Sequence, residues 1–275
     1  MTPGTTFAAS PLVVKSLTPS QVAQFQRDGF VRHPAALDIA GLKRLGPQLE
    51  EAGLTQARRE AERSRNRESK YAHDAFIQVS SLSQKVPELA DWVSATGIGE
   101  LACQALGCEQ VRLWGDHLLI KRSGGPGTPW HSDYYYIQTD TTAVCAIWIP
   151  FRALSLDEGP LGFIVGSHRL EEPSRYPIGP EGAARIQGLI DERGLEADFS
   201  PYALGDCSLH TASTLHGTRE NRGDRARTIM TVFLVDARAR VCEPRNAFQH
   251  EYPIGETGSP LNAARFPLVY PPQGH

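Results

Sequence analysis

Long apolar runs are absent from the sequence, because no segment approaches the roughly 20 consecutive apolar residues that a membrane-spanning helix needs. The first residues also lack the basic start and apolar run of a secretory signal. A formal net charge of -3 and an isoelectric point near 6.3 give no basic excess of the kind that attracts nucleic acid or anionic lipid. These absences predict a cytoplasmic protein whose partner is a small molecule, not a nucleic acid or a membrane.

Cysteine is scarce, and its spacing indicates no disulfide framework. The five cysteines are odd in number, widely separated and never arranged as Cys-x-x-Cys. This pattern predicts buried thiols in a reducing compartment. Since hydrophobic residues make up 40% of the chain and charged residues 21%, the composition is that of an ordinary globular protein, not a disordered or fibrous one.

The N-terminal third favours helices. The segment T-P-S-Q at Thr18–Gln21 has the form of a capping box with proline at the first helical position, which predicts a helix to about Arg27. Further helical stretches are expected at 38–51 and within 87–106. Between them, the charge-rich part of residues 52–72 is either a solvated helix or a mobile loop, and it is also a candidate lid over an active site.

Beyond residue 107 short β-branched and apolar runs alternate with Gly, Pro and Asp turns, which is typical of an antiparallel sandwich or barrel. An excursion between Ser167 and Leu204 interrupts this rhythm and contains a predicted short helix. The predicted strands are 110–121, 130–138, 142–151, 162–165, 207–215 and 227–235.

The segment W-H-S-D-Y-Y-Y, residues 130–136, is the first candidate for chemistry. In an extended strand His131 and Asp133 point to the same face, and Tyr135 shares it. The pair suits a divalent metal, but it equally suits a buried histidine held by an acid. Tyr135 either packs in the barrel or lines a substrate pocket.

A third ligand is available in His216, at the end of a later apolar strand. A hairpin centred on residues 221–224 would bring Arg227 back beside it. Two histidines and one carboxylate leave three positions of an octahedral metal open, as in non-haem Fe(II) oxygenases, and an arginine suits the far carboxylate of a chelating 2-oxo acid. The pattern leaves two alternatives open, because His210 shares a strand face with His216 and Arg225 shares one with Arg227.

Five groups of motifs follow one another over roughly residues 17–236: L-T-P-S-Q-V-A-Q-F-Q-R-D-G-F, D-H-L-L-I-K with G-T-P-W-H-S-D, A-I-W-I-P-F-R-A-L-S-L-D-E-G-P-L-G-F-I-V-G-S-H-R, Y-A-L-G-D-C-S-L-H and L-H-G-T-R-E-N-R-G-D-R-A-R. Together they resemble the phytanoyl-CoA dioxygenase family of Fe(II)- and 2-oxoglutarate-dependent oxygenases. The resemblance implies a mainly β fold with flanking helices, a double-stranded β-helix or jelly roll. It also implies one oxygenase domain over 1–275, with a loose N-terminus (1–15), a catalytic core (107–236) and an insert (168–204).

The resemblance also implies a set of site residues. His131, Asp133 and His216 match the iron ligands, Arg227 the residue that binds the distal carboxylate of 2-oxoglutarate, and Thr218 a hydroxyl that assists it. The remaining candidates are Trp148, His117 and Lys121 beside the co-substrate, and Tyr135 and Trp130 beside the substrate.

The implied activity uses Fe(II), 2-oxoglutarate and O2, with succinate and CO2 as co-products. We expect hydroxylation of an unactivated carbon in a small molecule such as a specialised-metabolite intermediate. Asp133 favours hydroxylation over halogenation, because related halogenases carry a small residue there. A fatty acyl-CoA substrate, and cyclisation, epimerisation or desaturation at the same centre, are the alternatives. A zinc enzyme using the same three ligands and a jelly-roll sensor without turnover remain open, although a sensor has no use for Arg227.

Overall fold

The computed structural model describes residues 14–63, 76–86, 89, 93 and 97–271. Its helices are α1 (Pro19–Asp28), α2 (Ile39–Arg63), α3 (Leu82–Lys85), α4 (Ile98–Leu106), α5 (Pro180–Arg193) and α6 (Ala247–Glu251). Its strands are β1 (Phe30–His33), β2 (Phe76–Ser80), β3 (Val111–Lys121), β4 (Thr128–His131), β5 (Val144–Pro150), β6 (Leu161–Ile164), β7 (Ala197–Phe199), β8 (Cys207–Thr211), β9 (His216–Thr218), β10 (Arg227–Asp236) and β11 (Leu268–Tyr270).

Two antiparallel sheets form a jelly roll. The major sheet has the order β1-β8-β5-β10-β3-β11, with β2 also paired to β3, and the minor sheet has the order β4-β9-β6-β7. Strand β10 is buried along its whole length and pairs with β3 on one side and β5 on the other. The expected jelly-roll fold is confirmed. No described helix has the length and apolar character needed to cross a membrane.

Strand alternation gives the major sheet two different faces. In β5, Ile147 and Ile149 belong to the large core cluster that contains Leu42 and Leu49 of α2, whereas Trp148 between them packs with Phe163 of the minor sheet. Successive side chains of a strand point to opposite faces, so one face is covered by helices and the other faces the minor sheet. The functional candidates of the major sheet lie on this second face.

The predicted capping box at the start of α1 is confirmed. The Gln21 backbone N–H donates to Thr18 Oγ1 at 3.3 Å, and the Thr18 N–H donates to Gln21 Oε1 at 2.9 Å. The helix ends at Gly29, which has a φ of 84°. A Cβ atom there would collide with the side chains of His168 and Thr214, so this left-handed position requires glycine.

Four predicted strands, now β3, β5, β6 and β10, are correct to within two residues. The predicted strand 130–138 is wrong, because β4 ends at His131 and a 3₁₀ helix covers Asp133–Tyr136. Ser132 is extended, and its Oγ accepts a hydrogen bond from the Tyr134 N–H at 3.3 Å. This local cap overrides the strand preference of three consecutive tyrosines.

One other expectation is wrong, and the structure adds detail to two more. The hairpin across 221–224 does not form, because β9 lies in the minor sheet and β10 in the major sheet. The insert contributes β7, which pairs with β6, in addition to its predicted helix. At the predicted loose N-terminus, Val14 bridges to Leu37 and the Lys15 N–H donates to Ala36 O, while residues 1–13 lie outside the described range.

The charged stretch begins as a helix, since α2 continues to Arg63. Residues 64–72 of the candidate lid lie outside the described residues, so the lid stays a prediction.

Asp116 joins α3 to β3 through a buried carboxylate. Its buried carboxylate accepts hydrogen bonds from the Leu82 N–H at 2.8 Å, the Ser83 N–H at 3.2 Å and the Ser83 hydroxyl. Asp116→Ala leaves these donors unpaired and should lower the free energy of unfolding by about 3 kcal/mol in urea denaturation. Asp140→Ala, which removes one exposed hydrogen bond to the Arg240 N–H, is the control and should cost less than about 1 kcal/mol. Equal losses for the two variants would contradict the anchoring role of Asp116.

Candidate metal centre

Three possible metal ligands converge where β4 and β9 meet. His131 and His216 are register partners, and their ring centroids are 4.2 Å apart. Asp133, the first residue of the 3₁₀ helix, places Oδ1 3.7 Å from His131 Nε2 and Oδ2 3.3 Å from His216 Nε2. One ligand atom from each residue lies within 4.8 Å of the others, so the group can hold a metal ion.

The backbone selects the tautomer of both histidines. His131 Nδ1 lies 2.8 Å from Pro129 O, and His216 Nδ1 lies 2.9 Å from Thr214 O. Because a carbonyl oxygen can only accept, each Nδ1 carries the proton and each Nε2 keeps a free lone pair. Both lone pairs are therefore available on the side of Asp133.

The charge states also suit metal binding. Burial lowers the pKa of both His131 and His216 to about 4, with each ring's charged neighbours modifying the effect of desolvation. Burial alone would raise the pKa of Asp133, but His216, His210 and His131 outweigh it and hold that pKa well below its ordinary value. Neutral imidazoles and an ionised carboxylate are the forms that bind a metal.

His210 lies beside this group but outside it. Its Nε2 is 3.8 Å from Asp133 Oδ2, and its ring centroid is 4.4 Å from that of His216. The three residues whose ligand atoms approach one another within 4.8 Å include His216 and not His210. The geometry therefore favours His216 over His210 as the ligand.

Two buried cations lie on neighbouring strands of the major sheet, and one of them contacts Thr218, two residues after His216. Lys121 and Arg227 are register partners on β3 and β10, with 0% and 1% of their surfaces exposed. Lys121 Nζ donates to Thr218 Oγ1 at 2.6 Å and to Arg219 O at 3.3 Å. Arg227 donates to Gly159 O, while its Nε has no hydrogen-bond partner. In the described part of the chain neither cation forms a salt bridge with a carboxylate.

Burial lowers the pKa of both cations. Burial, with a smaller contribution from Arg227, lowers the pKa of Lys121 to about 7. Burial and the nearby Arg152 lower the pKa of Arg227 to about 10. Two buried positive charges without a negative partner destabilise the protein, so an anion bound beside them would be stabilising.

The structure separates the two candidate arginines. Arg225 has 71% of its side chain exposed and lies 3.8 Å from Asp224 Oδ1. Arg227 is buried over the ring of Trp148, with 5.7 Å between its Cζ and the ring centroid. Only Arg227 is in a position to meet a ligand between the sheets.

The structure places the remaining candidate residues, Thr218, His117 and Trp130, in different surroundings. Thr218 bonds to Lys121 and accepts from the Thr128 N–H at 3.1 Å, which places it at the cation pair. His117 packs edge-on against Phe233, and burial lowers its pKa although Asp133 opposes this effect. Trp130 is not brought to the metal-binding group, because it packs against Phe199 and the hydrophobic cluster under α5.

The C-terminal segment supports the 3₁₀ helix that carries Asp133. Gln249 Nε2 donates to Tyr135 O at 2.9 Å and to Ile137 O at 3.2 Å, and Asn246 Nδ2 donates to Tyr135 O at 2.8 Å. Tyr135 itself is buried, with its ring edge-on to Tyr136. No local sequence pattern predicts these supports, because Gln249 lies more than 100 residues after the turn that it holds.

Comparisons with known proteins agree with this architecture. The family model for phytanoyl-CoA dioxygenase (PhyH) matches residues 25–229. A curated relative, phytanoyl-CoA dioxygenase domain-containing protein 1 of Bos taurus, is 26% identical over 131 residues, which cover 46% of this chain and 45% of that protein. The match thus spans about half the length of the relative.

Two solved structures share the fold across nearly the whole chain. The carbocyclase SnoK from nogalamycin biosynthesis, described as non-heme and alpha-ketoglutarate-dependent, has a TM-score of 0.75 at 23% identity and covers 94% of this chain and 99% of its own. The epimerase SnoN, in complex with Fe3+, alpha ketoglutarate and nogalamycin RO, has a TM-score of 0.69 at 24% identity and covers 91% of this chain and 97% of its own. Because the family model covers well over half of its length, the chain belongs to the phytanoyl-CoA dioxygenase family.

Proposed function

We propose that the protein is an Fe(II)- and 2-oxoglutarate-dependent dioxygenase that hydroxylates an unactivated carbon of a small molecule, such as a specialised-metabolite intermediate. The observation that carries the proposal is a buried, uncompensated cation pair beside three convergent metal-binding side chains. A metal-binding sensor or a hydrolytic zinc enzyme has no need for such a pair.

The three ligand residues fit Fe(II). His131 and His216 offer neutral Nε2 atoms and Asp133 an ionised oxygen, a mixed nitrogen and oxygen set that leaves open positions on the metal. When bound, the iron with 2-oxoglutarate and O2 supplies the oxidising power for an unactivated C–H bond, and succinate and CO2 are the co-products. The retained Asp133 occupies the position that a halide would need, which supports hydroxylation over halogenation.

The cation pair fits the distal carboxylate of 2-oxoglutarate. The unpartnered Arg227 Nε and the Lys121–Thr218 pair lie on one side of the space between the sheets. A carboxylate there satisfies the free donor and neutralises buried charge, and both changes favour binding. Trp148, buried beneath Arg227, restricts the guanidinium and excludes water. Tyr135 is the residue that we place toward the substrate, and His117 stays a candidate beside the co-substrate.

The alternative reactions at the same metal centre are ring closure, epimerisation and desaturation. The alternative substrate class is a fatty acyl-CoA. Product mass separates these outcomes, because hydroxylation adds one oxygen atom, desaturation or ring closure removes two hydrogens, and epimerisation leaves the mass unchanged. We propose the free small molecule because the arginines of residues 52–72 are interspersed with acids, and a basic channel for a nucleotide is not indicated.

The direct experiment is an anaerobic titration of the metal-free protein with Fe(II) and 2-oxoglutarate. Chelation of iron by the 2-oxo acid produces a weak visible charge-transfer band, and we expect the wild type to show it. Iron binding without the band would contradict the assignment of 2-oxoglutarate as co-substrate.

Arg227→Ala tests the carboxylate partner in the same titration. Removing a buried bidentate donor should weaken 2-oxoglutarate binding at least about 30-fold, the equivalent of about 2 kcal/mol. Arg225→Ala, which removes an exposed arginine two residues away, is the matched control and should bind like the wild type. The reverse result would transfer the role to Arg225.

Asp133→Ala tests the metal group. Loss of the only carboxylate among the three ligands should abolish stoichiometric Fe(II) binding in equilibrium dialysis, while the fold, monitored by circular dichroism, is retained. Asp157→Ala removes an exposed carboxylate and is the control. Unchanged iron binding by Asp133→Ala would place the metal elsewhere.

Lys121 makes 2-oxoglutarate binding depend on pH. With a pKa of about 7, the lysine is mostly neutral in the free protein at pH 8, and a bound carboxylate raises that pKa, so binding takes up a proton. Calorimetry at pH 8 in buffers of different ionisation enthalpy should give an uptake of about one proton, and affinity should fall as the pH rises above 7. Lys121→Met should abolish the uptake. Equal uptake by wild type and Lys121→Met would show that another group titrates.

A further inference from the structure

His210 is a buried histidine whose hydrogen-bonding capacity is unused. It lies on β8 between Phe30 of β1 and Ala146 of β5, and 1% of its surface is exposed. Neither Nδ1 nor Nε2 has a hydrogen-bond partner. An unpaired buried N–H costs about 1–3 kcal/mol, so this position needs an explanation beyond packing.

The surrounding rings direct His210 toward Asp133. The His210 ring packs against His216 at 4.4 Å and against Phe163 at 5.4 Å between centroids. Its Nε2 lies 3.8 Å from Asp133 Oδ2, slightly beyond hydrogen-bond length. A small rotation of the carboxylate closes this gap, whereas the ring is held between its neighbours.

The Asp133 carboxylate lies where it can accept a hydrogen bond from His210. Its Oδ1 is nearer to His131, and its Oδ2 faces both His216 and His210. His210 can donate to Oδ2, whereas His131 and His216, which are protonated at Nδ1, cannot donate from Nε2. A carboxylate that binds a metal through one oxygen needs a donor on the other, because an unrestrained carboxylate can turn and bind through both. Binding through both oxygens would occupy a position that the co-substrate needs.

We propose that His210 is a positioning residue: its Nε2–H donates to Asp133 Oδ2 in the metal-bound protein and leaves Oδ1 as the single metal-binding oxygen. This inference rests on the proposed function, because it concerns the same metal centre. It assigns His210 the tautomer opposite to that of His131 and His216, whose Nδ1 atoms carry the protons. A ring with a proton on Nε2 cannot bind the metal through that atom.

The tautomer is measurable in the unaltered protein. Long-range ¹H–¹⁵N spectra of the Zn(II)-loaded protein should show His131 and His216 protonated at Nδ1, and His210 protonated at Nε2 without a metal-induced shift. The His210→Gln spectrum assigns the His210 signals. A His210 ring protonated at Nδ1, or shifted by the metal, would overturn the inference.

Variants provide the second test through metal affinity. His210→Phe keeps a ring but removes the donor, and it should weaken Co(II) binding, measured by chelator competition, about 10–100-fold. His210→Gln retains a donor and should stay within about threefold of the wild type. His33→Phe, which removes a buried histidine from the neighbouring strand β1, is the control for the loss of a buried histidine. Wild-type affinity and an unchanged Co(II) absorption spectrum in His210→Phe would overturn the inference.

The two proposals fail in different ways. If the wild type binds Co(II) and His210→Phe weakens that binding, but 2-oxoglutarate gives no band, the proposed function fails and the positioning role stands. If both proteins bind Co(II) equally and both form the 2-oxoglutarate band, only the positioning role fails.

Discussion

The two-residue alternation of the major sheet is the constraint on which the site depends. Each inner strand sends alternate side chains to the helices and to the minor sheet, and the functional candidates of the major sheet lie on the second face. Because β3 and β10 are in register, Lys121 and Arg227 arrive side by side on the inner face. A shift of one residue in either strand would place one of these cations against the helices.

Burial then determines the chemistry of that face. The same desolvation that keeps His131 and His216 neutral makes the unpaired cations Lys121 and Arg227 costly, and an anion bound beside them would offset that cost. Backbone carbonyls select which nitrogen of each ligand histidine is free, and the C-terminal segment holds the turn that carries Asp133 through Gln249. Hydrogen bonds to neighbouring groups therefore orient each candidate ligand in the metal-free protein.

Local signals in the sequence were sufficient for the helix cap at Thr18 and for the long strands, because these depend on side-chain pattern over a few residues. The turn at Asp133 has the sequence pattern of a strand, since three tyrosines favour strands and the Ser132 cap is a weak local signal. The placement of β9 and β10 in different sheets, the separation of Arg225 from Arg227 and the support from Gln249 depend on tertiary contacts over long sequence distances. Periodicity alone cannot supply these.

The measurement that tests the central claim most directly is an anaerobic crystal structure with Fe(II) and 2-oxoglutarate. We expect iron bonded to His131 Nε2, His216 Nε2 and one oxygen of Asp133, with the far carboxylate of 2-oxoglutarate against Arg227 and Lys121. A metal bound through another set of side chains, or a co-substrate carboxylate that lies away from both cations, would contradict it.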